Sequence, residues 1–211
     1  MAYKQFEITG KCNLRCEPCY NAELMKSLVD SNLDAILSKV SPGDTVYIGG
    51  GEPMLHPEIQ QLAQRLTTIP SEVVIATNGT LYKPMPREVQ IQVSVWTLNP
   101  VLYTEILGGN EKLLTKTRQT IRQYLRDGNP LFLNLPVYEK NVGEIKEVSA
   151  YASSLNIPLR VNKIFPANGI ANRPDLQRRI EDIIFQLKCQ GRDIRYAREK
   201  MPVQRFYQMP G

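Results

Sequence analysis

Three cysteines fall within eight residues, in the run Cys12-Asn13-Leu14-Arg15-Cys16-Glu17-Pro18-Cys19. Thiolates are soft ligands, suited to zinc and to iron–sulfur clusters. On a loop, this spacing lets all three turn toward one centre. A structural zinc site wants four closed ligands, and a [4Fe–4S] cluster normally takes four thiolates. A fourth ligand is hard to find, because Cys189 lies far along the chain in an amphipathic stretch and His56 is the only histidine. Three thiolates would leave one iron of a cluster open to an external ligand. The spacing by itself leaves both readings standing, an open iron–sulfur site and a zinc knuckle.

A second group of residues could shape a pocket. Gly49-Gly50-Gly51 lets backbone come close to a ligand with no Cβ in the way. Glu52, which follows, would be costly to bury unless a cation or hydrogen bonds compensate it. Thr77-Asn78-Gly79 ends a β-branched run and carries a turn signal. Ser94 and Asn134 are polar residues within otherwise strand-like segments. His56, just before Pro57, reads as a cap for the helix that follows. Cys189 reads as a small core residue, and Trp96 as wall packing or a substrate contact.

These residues need a scaffold, and the hydrophobic pattern supplies one. Strand signals occupy Tyr3–Thr9, Thr45–Ile48, Val73–Ala76, Val89–Trp96, Leu131–Val137 and Leu159–Phe165. Helical spacing appears between them. Ser31 with Asp34 resembles a capping box ahead of Leu33, Ile36, Leu37 and Val40. Ile59, Leu62, Ala63 and Leu66 share a face, and Glu111–Asp127 is in helical register up to Gly128. Val142, Ile145, Val148, Ala152 and Leu155 form another such face, and Pro174 opens a last helix. Strands that each lead into a helix imply parallel pairing, in an α/β layer or an incomplete (β/α) barrel. Chemistry in such folds sits at the C-terminal ends of the strands. The cysteine run, the glycine strip, Asn78-Gly79, Trp96 and Pro166–Gly169 all follow predicted strands, so one mouth can gather them.

The 211 residues are 42% hydrophobic and 22% charged, a globular composition. No apolar stretch nears the roughly 18 residues of a membrane span, and the N-terminal residues lack a secretory h-region. Four cysteines are too few for a disulfide-stapled mini-protein. The expectation is a cytoplasmic protein that engages no membrane. The net charge of +5 is uneven, since nine basic and five acidic residues lie between Arg173 and Gly211. Those charges alternate rather than forming a block, and no aromatic RNA-binding strand pattern is present, so nucleic acid is not an expected partner. The periodicity beyond Gly191 is weak, and that segment is expected beside the mouth of the sheet.

Cys12-x3-Cys16-x2-Cys19 after a first strand, followed by Gly50-Gly51-Glu52-Pro53 after a second, resembles the radical S-adenosylmethionine (SAM) superfamily. The resemblance extends over about residues 3–170. It implies a partial (β/α)6 barrel over residues 1–170, with a C-terminal helical, basic extension over residues 171–211. It further implies a [4Fe–4S] cluster on Cys12, Cys16 and Cys19, whose fourth iron takes the amino and carboxylate groups of SAM. The resemblance places Tyr20, Gly49, Gly50, Gly51, Glu52, Thr77, Asn78, Ser94 and Asn134 around that cofactor. Pro18 stands where the family usually has an aromatic residue, and it offers no N–H toward the adenine. The implied activity is reductive cleavage of SAM to a 5′-deoxyadenosyl radical that takes hydrogen from a substrate C–H. An external one-electron donor such as ferredoxin or flavodoxin is implied as partner. The open mouth suggests a peptide or protein substrate; glycyl-radical activation and nucleotide or cofactor biosynthesis are the alternatives. A non-enzymatic iron–sulfur or zinc module would require a fourth protein ligand.

Overall fold

Apolar residues alternate along the strands, and the alternation sends one row of each strand under a layer of helices. Phe6, Val46, Ile48, Val73, Ile75, Ile91, Val93, Leu133, Leu135 and Val161 are buried in one core on that face. The computed structural model describes residues 2–19, 22–163, 174–196 and 203–207. Their strands are β1 (Tyr3–Glu7), β2 (Thr45–Gly49), β3 (Glu72–Thr77), β4 (Gln90–Ser94), β5 (Leu131–Val137), β6 (Leu159–Lys163), β7 (Ile194–Tyr196) and β8 (Val203–Tyr207). All pairings are parallel. The order across the sheet is β7-β6-β5-β4-β3-β2-β1-β8.

The sheet curls. In a flat sheet, β2 and β6 would stand about 19 Å apart at the usual strand spacing. Yet Arg160 of β6 donates a hydrogen bond to the Tyr47 hydroxyl of β2 at 2.8 Å. Their side chains meet across the inner face, so the strands bend round a lumen. The link from β7 to β8 agrees. Seven residue steps from Tyr196 to Val203 reach about 24 Å at most, whereas the two edges of a flat eight-stranded sheet would lie about 34 Å apart. The architecture is an open, partial (β/α) barrel, as expected, with the six expected strands in the middle of the sheet.

The outer layer comprises α1 (Ala22–Ser27), α2 (Leu33–Leu37), α3 (Ile59–Thr67), α4 (Pro100–Leu107), α5 (Glu111–Asp127), α6 (Glu144–Ser154) and α7 (Pro174–Cys189). The expected face of α3 is fully buried: Ile59, Leu62, Ala63 and Leu66 all lie in the core. Burying each of the larger three contributes about 1.5–3 kcal/mol. The cap of α2 is Asn32 rather than Ser31. Asn32 accepts from the N–H groups of Asp34 and Ala35, while the Ser31 N–H is drawn back to the Ile8 carbonyl at 2.9 Å.

Two further expectations fail. Cys189 is exposed, not a core residue. It lies two residues past Leu187, about 200° round the helix from the buried line of Ile180, Ile184 and Leu187. The segment beyond Gly191 also differs from expectation. Residues 194–196 and 203–207 extend the sheet at its two opposite edges instead of standing beside the mouth. The first run is too short for alternation to show in the sequence, and the second, Val203-Gln204-Arg205-Phe206-Tyr207, does not alternate. At β8, Phe206 stacks on Phe6 with ring centroids 4.9 Å apart.

Candidate functional site

The cysteine run leaves the C-terminal end of β1 and docks on α4. The N–H groups of Arg15 and Glu17 donate to the carbonyls of Leu107 and Ile106 at 3.0 and 2.8 Å. These are last-turn carbonyls, which a helix cannot satisfy from within. Leu14 plugs a small apolar cluster with Tyr103, Ile106, Leu107, Leu114 and Tyr138. From the far side, Lys140 bridges Glu17 at 2.7 Å and Glu105 at 3.1 Å. Helix α4 is therefore a buttress for the loop. Sequence reading passed over it because Val101, Leu102, Tyr103, Ile106 and Leu107 show no clean period, although Asn99-Pro100 is a strong helix start.

Cys12 is exposed, and Cys16 and Cys19 are partly buried. Burial pushes the Cys16 thiol up to about 12, and charge on Cys12 and Cys19 adds to the effect. Although the Cys12 residue is exposed as a whole, partial desolvation of its thiol raises it too, with contributions from the charges of Glu52 and Cys19. The thiols thus lie close enough to repel one another as thiolates, a cost that a bound cationic centre removes. Among the described residues, no three His, Cys, Asp or Glu groups converge as a single-ion site.

The glycine strip after β2 is zipped to the loop's entry. Gly51 N–H donates to the Thr9 carbonyl and Glu52 N–H to the Lys11 carbonyl, each at 2.8 Å. Gly50 has φ of +142°, and a Cβ there would stand 2.6 Å from the Thr9 carbonyl oxygen. A Cβ on Gly51 would stand 2.3 Å from the Lys11 carbonyl oxygen. The missing side chains let two backbones touch immediately before Cys12. Gly51→Ala is expected to push the strip off the loop and lower the melting temperature of the metal-free protein by several degrees, readable by circular dichroism.

Glu52 is wholly buried. One of its oxygens accepts from Met54 N–H at 3.0 Å and the Thr77 hydroxyl at 2.7 Å, and the other from Asn78 N–H at 2.7 Å. Burial pushes its carboxyl up to about 7, against the downward pull of these bonds. The Asn78 side chain donates to Asn13 in the cysteine run at 2.9 Å. The polar side-chain atoms of Glu52, Thr77 and Asn78 are thus committed to holding the β3 end against the glycine strip and the cysteine run. His56 is buried, its Nδ1 accepting from Glu58 N–H at 3.2 Å and its Nε2 donating to the Ser31 carbonyl at 3.1 Å. It is not the cap of α3, since Glu58 holds that position and no side chain caps the helix; His56 instead ties the turn before α3 to the Ser31 carbonyl.

Ser94 and Asn134 are register partners at the end of β4 and in β5. Asn134 accepts from Asn162 of β6. Below them, the Arg160 guanidinium lies over the Phe132 ring at 4.5 Å. Trp96 packs edge-on against Tyr138 with centroids 6.2 Å apart. Tyr20 and residues 166–169 lie outside the described residues. The structure adds Asn13, Thr80, Lys140 and Arg160, which no motif marks; only a polar residue in an inward strand position could have signalled Arg160.

The model of the Radical SAM superfamily matches residues 6–148. Among curated proteins, the chain is 29% identical over 229 residues to GTP 3′,8-cyclase of Alkaliphilus oremlandii, covering 99% of this chain and 70% of that protein. It is 29% identical over 163 residues to a probable GTP 3′,8-cyclase of Sulfolobus acidocaldarius, covering 71% of this chain and 51% of that protein. Among solved structures, Streptococcus suis SuiB bound to S-adenosylmethionine overlays with a TM-score of 0.76 at 18% identity, over 95% of this chain and 51% of that one. Native anSMEcpe with bound AdoMet gives 0.69 at 13% identity, over 92% and 63%. The likenesses to solved structures are in fold, and the chain spans about half to two thirds of the length of such relatives.

Proposed function

The chain belongs to the radical SAM superfamily, whose enzymes use a [4Fe–4S] cluster and SAM, and from that premise we propose that Cys12, Cys16 and Cys19 hold the cluster beside a SAM site on the glycine strip. The supporting observation is the zipped pair of backbones that sets the cysteine run against Gly49–Glu52 at the C-terminal end of the barrel. When bound, cluster and SAM supply a 5′-deoxyadenosyl radical for hydrogen abstraction from a substrate C–H. The chain's residues bind and orient. Helix α4 braces the thiols, and the strip presents bare backbone to the methionine amino group. Ser94 would lie toward the ribose, and the lumen walls would exclude water from the reacting carbon. A reductant such as ferredoxin or flavodoxin delivers the electron from outside.

The proposed substrate is a nucleotide or similar small anion rather than a peptide. Relatives named GTP 3′,8-cyclase support this reading, and so does the lumen. Arg160 is partly buried there, and among the described residues no carboxylate lies within ion-pair distance of it. A sheltered guanidinium, stacked on Phe132 and steered by Tyr47, suits a phosphate or carboxylate. Its loss should weaken GTP binding about tenfold or more. The test is calorimetric titration of wild type and Arg160→Met with GTP and guanosine, alongside 5′-deoxyadenosine formation without substrate. Weaker GTP binding with that uncoupled reaction intact is expected. Equal GTP affinity in the two proteins would sink the nucleotide reading.

A further inference from the structure

Three side chains from two loops close a ring of hydrogen bonds. Asn13 Nδ2 donates to Thr80 Oγ1 at 2.7 Å, Thr80 Oγ1 donates to Asn78 Oδ1 at 2.6 Å, and Asn78 Nδ2 donates to Asn13 Oδ1 at 2.9 Å. Each member gives one proton and takes one. Thr80 backbone N–H also donates to Asn78 Oδ1 at 2.9 Å. A backbone N–H can only donate, so it fixes which end of the Asn78 amide is oxygen. That choice fixes the Asn13 amide and the Thr80 hydroxyl in turn, giving the ring one direction. Bonds in such a chain polarise one another.

The ring's position gives it a use. Asn13 is covalently next to Cys12. Asn78 follows Thr77, and both are clamped by Glu52, which itself follows the glycine strip. The ring is therefore a side-chain tie between the cysteine run and the β3 end, separate from the backbone zip at Thr9–Glu52 and from the α4 buttress. Because those two other supports hold the loop's fold, the ring is left to set the position of its first cysteine relative to the β3 end.

We propose that Asn13, Asn78 and Thr80 are positioning residues that hold the cluster and SAM in productive register, rather than residues that touch either one. The proposal rests on the cluster and SAM assignment above. The variants are Thr80→Val, which keeps the shape but breaks two links; Asn78→Asp, which removes the donor to Asn13; and Thr80→Ser, which keeps the hydroxyl. Each is reconstituted anaerobically and assayed for iron and sulfide, for SAM affinity, and for the SAM-induced change in the electron paramagnetic resonance signal of the reduced cluster. Expected for Thr80→Val and Asn78→Asp is full iron content, SAM bound about tenfold more weakly, and a diminished spectral response. Thr80→Ser should match wild type. Unchanged affinity and spectra in Thr80→Val and Asn78→Asp would overturn the proposal. So would loss of iron in those variants, since the ring would then be holding the loop's fold. A wild-type protein with no cluster or no SAM response would instead defeat the underlying assignment.

Discussion

Replacing any one of Cys12, Cys16 and Cys19 by alanine is expected to leave protein that folds but takes up almost none of the about four iron and four sulfide of a [4Fe–4S] centre. The brown chromophore and all 5′-deoxyadenosine formation should disappear with it. Folding should survive because the loop's main supports do not involve sulfur: the Leu14 N–H bond to Cys12 Sγ, at 3.4 Å, and the packing of Cys16 against the apolar cluster are its only sulfur contacts among the described residues. Leu14 remains in its apolar cluster, and the Arg15 and Glu17 N–H groups remain on α4. Cys189→Ala should match wild type, since this thiol is exposed at the end of α7. Anaerobic reconstitution followed by iron and sulfide assay decides the matter. A cluster that required Cys189, or stoichiometric zinc in place of iron, would defeat the ligand assignment.

The second large effect belongs to Glu52. Glu52→Ala leaves the buried Met54 N–H with no acceptor, at a cost of about 1–3 kcal/mol, and removes the acceptor of the part-buried Asn78 N–H as well. The wild-type carboxyl should also make the metal-free protein pH-sensitive. It titrates near 7 in the fold against an ordinary 4.5, because burial disfavours its charge. A raised value means the native state holds the proton more tightly than the unfolded chain. The associated stability is complete below pH 4.5 and is lost as the pH rises through 7, amounting to about 3 kcal/mol. Thermal melts between about pH 5 and 8 should show this decline, and Glu52→Gln should flatten it. A flat wild-type profile would mean that the three hydrogen bonds outweigh burial.

Much of this was legible in the residues. The six inner strands, the α3 face and the placement of the cysteine run and the glycine strip after strands all follow from apolar period and turn residues. What was not legible has physical causes. Strand β7 has three residues, too few for alternation to stand out, and β8, Val203-Gln204-Arg205-Phe206-Tyr207, does not alternate. Helix α4 has only Thr104 and Glu105 as polar residues, and the apolar Val101 is exposed beside them, so its period is hidden. The motifs mark Glu52 and Asn78 but not the bonds they make within the protein, to Met54, Thr77, Asn13 and Thr80. A motif marks where a residue falls but not which way its amide or carboxylate turns. The Asn13–Thr80 contact spans 67 positions, and only the folded barrel brings it about.

The pairing of β1 with β8 orders events in time. Tyr3 lies beside Val203 in the sheet, and Phe6 beside Phe206. A ribosome finishes β1 long before it begins β8. Throughout that interval one side of β1 offers unpaired N–H and C=O groups, the kind of edge that recruits other chains. Contacts between such distant segments also form slowly, because a long loop must close first. The cysteine run hangs from β1. Its support is therefore fully assembled only once residues 203–207 have emerged, which places completion of the site late in synthesis.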